Sequence, residues 1–176
     1  LKLGGMGLAG VAGALLFGRT ETQAAHPNLV PMQMGHGEET LPGTGDVDYE
    51  KNGFNPSETL TEFDYGEIST LPDGRTLREY KIVAINKNIE IVPGIVYPAW
   101  TYNGRIPGPT LRCVEGDLVR IHFTNGSNHP HSMHFHGFHP GEMDGVPGTG
   151  PGGMVQPGET FIYEFDAEPF GLHLYH

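Results

Sequence analysis

Six of the ten histidines in this 176-residue chain fall between His122 and His139, and two more, His173 and His176, close it. The densest stretch, His129-Pro-His-Ser-Met-His-Phe-His136-Gly137, is answered forty residues on by Gly171-Leu-His-Leu-Tyr-His176. Imidazole ligates copper, zinc, iron and nickel, so clusters of this density point to metal chemistry while their spacing alone does not name the ion. Successive side chains on an extended strand point to opposite faces. His134 and His136 would therefore share one face and His131 take the other, which lets one strand serve two metal centres. Five residues of strand span roughly 16 Å at about 3.3 Å each. Two centres held that way stay apart but are joined by one covalent path, an arrangement suited to electron transfer between them.

The elements that must carry these residues are strands. Tyr80, Ile82 and Ala84 alternate with Glu79 and Lys81; Val119, Ile121 and Phe123 alternate with Arg120 and Thr124; Phe161, Tyr163 and Phe165 alternate with Glu164 and Asp166. Turn signals at Asp73-Gly74, Pro93-Gly94, Asn103-Gly104, Pro107-Gly-Pro109, Asn125-Gly126 and Pro157-Gly158 punctuate them. Short strands at this density predict an all-β fold, a Greek-key β-sandwich, over residues 73–176. Residues 26–72 are rich in Pro, Gly and acid and read as an irregular extension; His26, Met32, Met34 and His36 within it are either scattered or a soft-metal tail. The single cysteine, Cys113, is expected on a strand as a small buried residue. With one cysteine, no disulfide forms within the chain.

The segments Tyr102-Asn-Gly-Arg-Ile-Pro-Gly-Pro-Thr-Leu-Arg-Cys-Val-Glu-Gly-Asp-Leu-Val-Arg-Ile-His-Phe-Thr-Asn125, His134-Phe-His-Gly137, Met143-Asp-Gly-Val-Pro147, Pro157-Gly-Glu-Thr-Phe-Ile-Tyr-Glu-Phe165 and Gly171 to His176 come in a telling order. Together they resemble the first cupredoxin (plastocyanin-like) domain of a multicopper oxidase, and most of all that of the small laccase-like enzymes and the related copper nitrite reductases. The resemblance implies copper as cofactor. It makes His131 a ligand of a type 1 copper, His134 and His136 ligands shared between type 2 and type 3 coppers, and His176 a further ligand of that cluster. It matches Asp144 to a family acid that helps move protons to reduced oxygen, a step that consumes protons; Asp144 before Gly145 reads equally as a turn former. His122, His129, His139 and His173 match no ligand position. The glycine-rich run Gly145 to Gly158 corresponds to a family loop beside the copper or substrate entrance, or is a long surface connection.

The family's cluster needs more histidine ligands than the three this domain supplies to it, His134, His136 and His176, so the resemblance implies a second cupredoxin domain, on a neighbouring subunit of a homotrimer. The implied reaction oxidises a donor (a small molecule, a metal ion or a redox protein) and reduces O2 to water. Nitrite reductase is the alternative, because its histidine five residues before the next ligand matches His131 and His136, although it carries aspartate where this chain has His134. A non-enzymatic electron carrier would leave His134, His136 and His176 surplus. In the family a Cys follows the second histidine motif, so the chain reads as a fragment cut at both ends.

Residues 1–25 contain the short apolar run Leu1 to Phe17 followed by Thr22-Gln-Ala-Ala25. They read as the remnant of an export signal of the twin-arginine type, too short to span a bilayer, and imply a periplasmic or extracellular protein. The net charge of −11 argues against nucleic acid and anionic membrane as partners.

Overall fold

The computed structural model describes residues 43–137 and 139–176. Segment 1–25, read above as an export-signal remnant, and the Met- and His-containing stretch 26–36 lie outside the described residues. Among the described residues, no helix is long and apolar enough to cross a membrane.

The longest strand, β3 (Thr76–Val92), is the spine of the molecule. Its first half is flanked by β2 (Glu67–Thr70), antiparallel, and by β6 (Leu118–Asn125), which runs parallel from Leu77↔Leu118 to Ala84↔Asn125. Its second half pairs antiparallel with β4 (Ile95–Tyr102). β7 (Thr160–Asp166) closes the five-stranded sheet against β6. A second, two-stranded parallel sheet joins β1 (Phe63–Asp64) to β5 (Thr110–Leu111).

The alternation expected from the sequence builds one apolar face. Tyr80, Ile82, Ala84, Val119, Ile121, Phe123, Tyr163 and Phe165 are buried there and pack against Met133, Phe135 and Val155 from the opposite layer. Burying each large side chain contributes roughly 1.5–3 kcal/mol. The other face is polar: Arg120 donates to Glu164 Oε2 at 2.6 Å, and Glu79 Oε1 lies 3.0 Å from His122 Nε2. Antiparallel pairs with one face in the core and one in water read as clean alternation. Past Ala84 the spine leaves this core, and Ile89 joins a separate cluster with Phe54 and Ala99.

Residues 43–72 differ from the irregular extension expected. They hold the helix α1 (Tyr49–Asn52), a 3-10 turn at Pro56–Leu60, and strands β1 and β2. Side-chain hydrogen bonds fix them rather than apolar periodicity. Buried Asn52 mimics a strand neighbour, donating from Nδ2 to Glu90 O at 2.9 Å and accepting the Glu90 N–H on Oδ1 at 2.9 Å. Asn55 and Glu58 form a reciprocal capping box. β2 is exposed along its whole length and so carries no alternation to read.

Cys113 also departs from expectation. β5 ends at Leu111, the chain turns through Gly116, and the thiol-bearing residue is exposed beyond the ladder. The glycine-rich run is no mere surface connection: it contains a 3-10 turn at Pro151–Gly153 with Gly152 and Gly153 buried, and it delivers Val155 into the core.

Candidate metal centre

The first histidine cluster does not form a regular strand. It is an extended segment stitched by short pairings to two others. His131 exchanges both backbone hydrogen bonds with Val155, at 3.0 and 2.9 Å. Three residues on, His134 exchanges both with His176, at 2.8 and 2.9 Å, and the His136 N–H donates to Leu174 O at 2.9 Å. Residues opposite one another in an antiparallel pair present side chains to the same face, as do residues two apart on one strand. This pairing therefore gathers His134, His136 and His176 across forty residues of sequence. Their rings lie 5.0 to 5.2 Å apart by centroid, and one nitrogen from each falls within a sphere of ligand atoms no more than 4.8 Å from one another. His136 Nε2 and His176 Nε2 are 3.1 Å apart.

The outer contacts of His134 decide which nitrogen faces the cluster. Its Nδ1 is 2.7 Å from Asp144 O. A carbonyl only accepts, so Nδ1 carries the proton and Nε2 keeps its lone pair for a metal. The Asp144 carboxylate is beside the same nitrogen, with Oδ1 at 3.4 Å. Asp144 reaches this place through Gly145. At Gly145, with φ +70°, a Cβ would meet Met133 O at 1.8 Å, so the turn presses directly on the backbone preceding His134. The donor set passes the test for a histidine-held ion: three imidazoles converge, two nitrogens are close enough for one ion at ordinary metal–imidazole distances of about 2.0–2.1 Å, and the third ring is fixed in the ligating tautomer.

His131 stands apart from these three contacts. Its Nε2 is buried and has no hydrogen-bond partner among the described residues, unlike that of a satisfied core histidine. Burial first, and then the neighbouring His129, hold its pKa below the ordinary imidazole value, which favours the neutral, ligating form. Trp100, the only tryptophan of the chain, stands edge-on to it at 5.1 Å and is tilted against His129 at 5.5 Å. A cavity of about 540 Å³ opens between Trp100, His131, His134, His176, Pro147 and Met154. A larger, mainly apolar cavity of about 720 Å³ runs beneath Tyr102, Leu111 and Tyr175 and touches the cluster only at His176, whereas the smaller one is lined by His131, His134 and His176 together.

Of the five residues singled out from sequence, the fold thus brings His134, His136, His176 and Asp144 together and keeps His131 on its own backbone bridge. Three contributors were not legible. Trp100 gave no signal in a strand of exposed apolar residues, Gly145 read only as a turn, and His139 matched no motif.

A two-layer β fold with imidazoles converging on one extended pair defines a metal-binding protein of the cupredoxin type. The profile of the multicopper oxidase family matches residues 84–176, and the chain belongs to that family. Copper is the cofactor of this family, and the all-imidazole donor set suits it. A crystal structure of a multicopper oxidase superposes with a TM-score of 0.71 at 60% identity, covering 74% of this chain and 46% of that one. The copper resistance protein A homolog of Pseudomonas syringae pv. tomato is 37% identical over 106 residues, 60% of this chain and 18% of its own length. A copper-containing nitrite reductase of Neisseria meningitidis is 34% identical over 98 residues, 54% of this chain and 24% of its own. The chain thus spans about a fifth to a quarter of these curated relatives.

Proposed function

We propose that this chain supplies part of the copper site of an oxidase that takes electrons from a donor and passes them to O2, forming water. The observation that carries the reading is the convergence of His134, His136 and His176 on one face of a paired backbone, with ligand atoms within 4.8 Å. Copper, when bound, supplies one-electron chemistry. His134, with its Nδ1 proton held by Asp144 O, offers Nε2 inward, and His136 and His176 offer theirs opposite. His131, whose Nε2 is buried with no partner among the described residues, would hold a second, separate copper of type 1. The backbone from His131 to His134 would be the covalent path between two ions so held. Asp144, with a carboxylate oxygen 3.4 Å from His134 Nδ1, is the group beside the cluster that holds and passes protons.

The rest of the cluster would come from a second cupredoxin domain, on a neighbouring subunit of a trimer. The donor is a phenol, a reduced metal ion or a small redox protein. Export to the periplasm or cell exterior is proposed from the apolar run Leu1 to Phe17. Nitrite reduction is a second reading, favoured by the identity to the Neisseria enzyme; His134 speaks against it.

The test is to produce the complete polypeptide that carries this chain with copper, count bound copper per chain, and follow oxygen uptake with a phenolic donor. Copper in excess of two per chain with oxygen consumption is expected. Two coppers with nitrite reduced and oxygen untouched would give the second reading, and one copper without turnover would leave an electron carrier.

A further inference from the structure

His139 matches no ligand position, yet its side chain is only 8% exposed and its ring is engaged on both sides. Nε2 lies 2.6 Å from Phe135 O and 3.3 Å from Asp144 Oδ1, and Nδ1 lies 3.0 Å from Pro140 O. Phe135 is the residue between His134 and His136. One imidazole therefore links the backbone that spaces these two histidines to the carboxylate that flanks the first of them. The His134 and His139 rings meet edge-to-face, 6.1 Å apart at 74°; the polar link between them runs through the Asp144 carboxylate, which lies 3.4 Å from His134 Nδ1 and 3.3 Å from His139 Nε2.

Other holds on the Asp144 carboxylate are weak. Oδ2 has the Thr149 hydroxyl at 3.5 Å, the outer limit of a hydrogen bond, and among the described residues the side-chain nitrogens paired with Oδ1 are those of His139 at 3.3 Å and His134 at 3.4 Å. Asp144 also sits at the end of a single 3-10 turn, Gly141–Met143, with one long backbone bond, from its N–H to Gly141 O at 3.2 Å. A short turn of this kind does not by itself fix a side chain.

We propose that His139 is a positioning residue: it anchors the Asp144 carboxylate to the Phe135 carbonyl and so keeps Asp144 against His134 Nδ1. The proposal rests on the reading of His134, His136 and His176 as copper ligands. It predicts that His139 affects the cluster only while Asp144 retains its carboxylate. Outer contacts of this type typically alter metal affinity by about 10–100-fold.

The full chain, titrated with Cu(II) alone against a competing chelator, decides it. His136→Ala identifies which Cu(II) belongs to the cluster, and imidazole ¹⁵N spectra of the metal-free protein report the His134 tautomer. His139→Leu is expected to weaken the cluster's Cu(II) affinity about 10-fold or more and to mix the His134 tautomers. His139→Gln, which keeps an N–H donor, should recover most of the loss. In a D144A background His139→Leu should add less than a twofold change, the signature of two residues acting as one unit. Should His139→Leu fail to fold, His139→Asn, polar but too short to span the gap, carries the same comparison. Equal losses from His139→Leu with and without D144A would overturn the proposal, as would unchanged tautomers. If His136→Ala leaves Cu(II) binding intact, the cluster reading itself has failed, a result distinct from a failure of His139 alone.

Discussion

Single atoms govern how His134 is presented. Its ring is held at Nδ1 by Asp144 O, and Asp144 is brought there because residue 145 has no Cβ. Gly145→Ala would place a methyl carbon 1.8 Å from Met133 O at a backbone φ of +70° that alanine disfavours. The turn must then lift away from the histidine segment. Strain of this kind costs about 1–3 kcal/mol, so Gly145→Ala should lower the urea midpoint of the chain, and it should release the His134 Nδ1 proton to faster solvent exchange. Unchanged stability and exchange would mean that the turn accommodates a side chain and that Asp144 is held by something else. Asp144 keeps its backbone carbonyl under any substitution, which is why its carboxylate and its carbonyl can be separated experimentally.

At the level of elements, the site depends on β6 and β7 being locked onto β3, because the layer that carries Met133, Phe135 and Val155 packs on the face those strands form. One end of that assembly is held by an ion pair between Arg78 on β3 and Asp117 immediately before β6, with both side chains about nine-tenths buried. Asp117 Oδ2 also accepts the Val114 N–H at 2.9 Å, and Arg78 Nη1 donates to Tyr65 O at 3.0 Å. Removing one partner leaves an uncompensated buried charge. Arg78→Met is therefore expected to destabilise the chain by about 3–5 kcal/mol in denaturant unfolding, and Arg78→Met with Asp117→Leu to recover a good part of it. A single substitution that costs under about 1 kcal/mol, the range of an exposed pair, would show that the pair is solvated in solution. Metal affinity at His134, His136 and His176 is expected to follow the same order, since their pairing partner sits on the same packed layer.

For the whole molecule the dominant property is charge: the chain carries −11. An acidic surface concentrates cations and repels anions over a Debye length, about 10 Å at 0.1 M salt. If the parent protein oxidises small donors, cationic donors should slow and anionic donors quicken as salt is raised from about 0.01 to about 0.3 M. Initial rates for a matched cationic and anionic pair check this, and equal, salt-independent rates would place electron entry on a locally neutral patch. The neighbourhood of Trp100, 63% exposed above His131, is where such a patch would matter; the cavity beside it is lined by no Asp, Glu, Lys or Arg.

Periodicity was enough to read an all-β chain and the cores of β3, β6 and β7, because alternation is a local property of sequence; copper, and the choice of His131, His134, His136, His176 and Asp144 as candidate site residues, came from the family resemblance that the motif order carries. Residues 43–72 escaped that reading: Asn52 and the Asn55–Glu58 box act through hydrogen bonds, which leave no period. Cys113 escaped it because a strand's end depends on the turn that follows. Which histidines meet was decided only by tertiary structure. His176 joins His134 through a backbone pairing between segments forty residues apart, and His139 finds Asp144 only when the turn at Gly141–Met143 and the close approach at Gly145 fold the chain back on itself. Spacing along a chain constrains neighbours on one strand; contact between strands is set by the packing that brings them together.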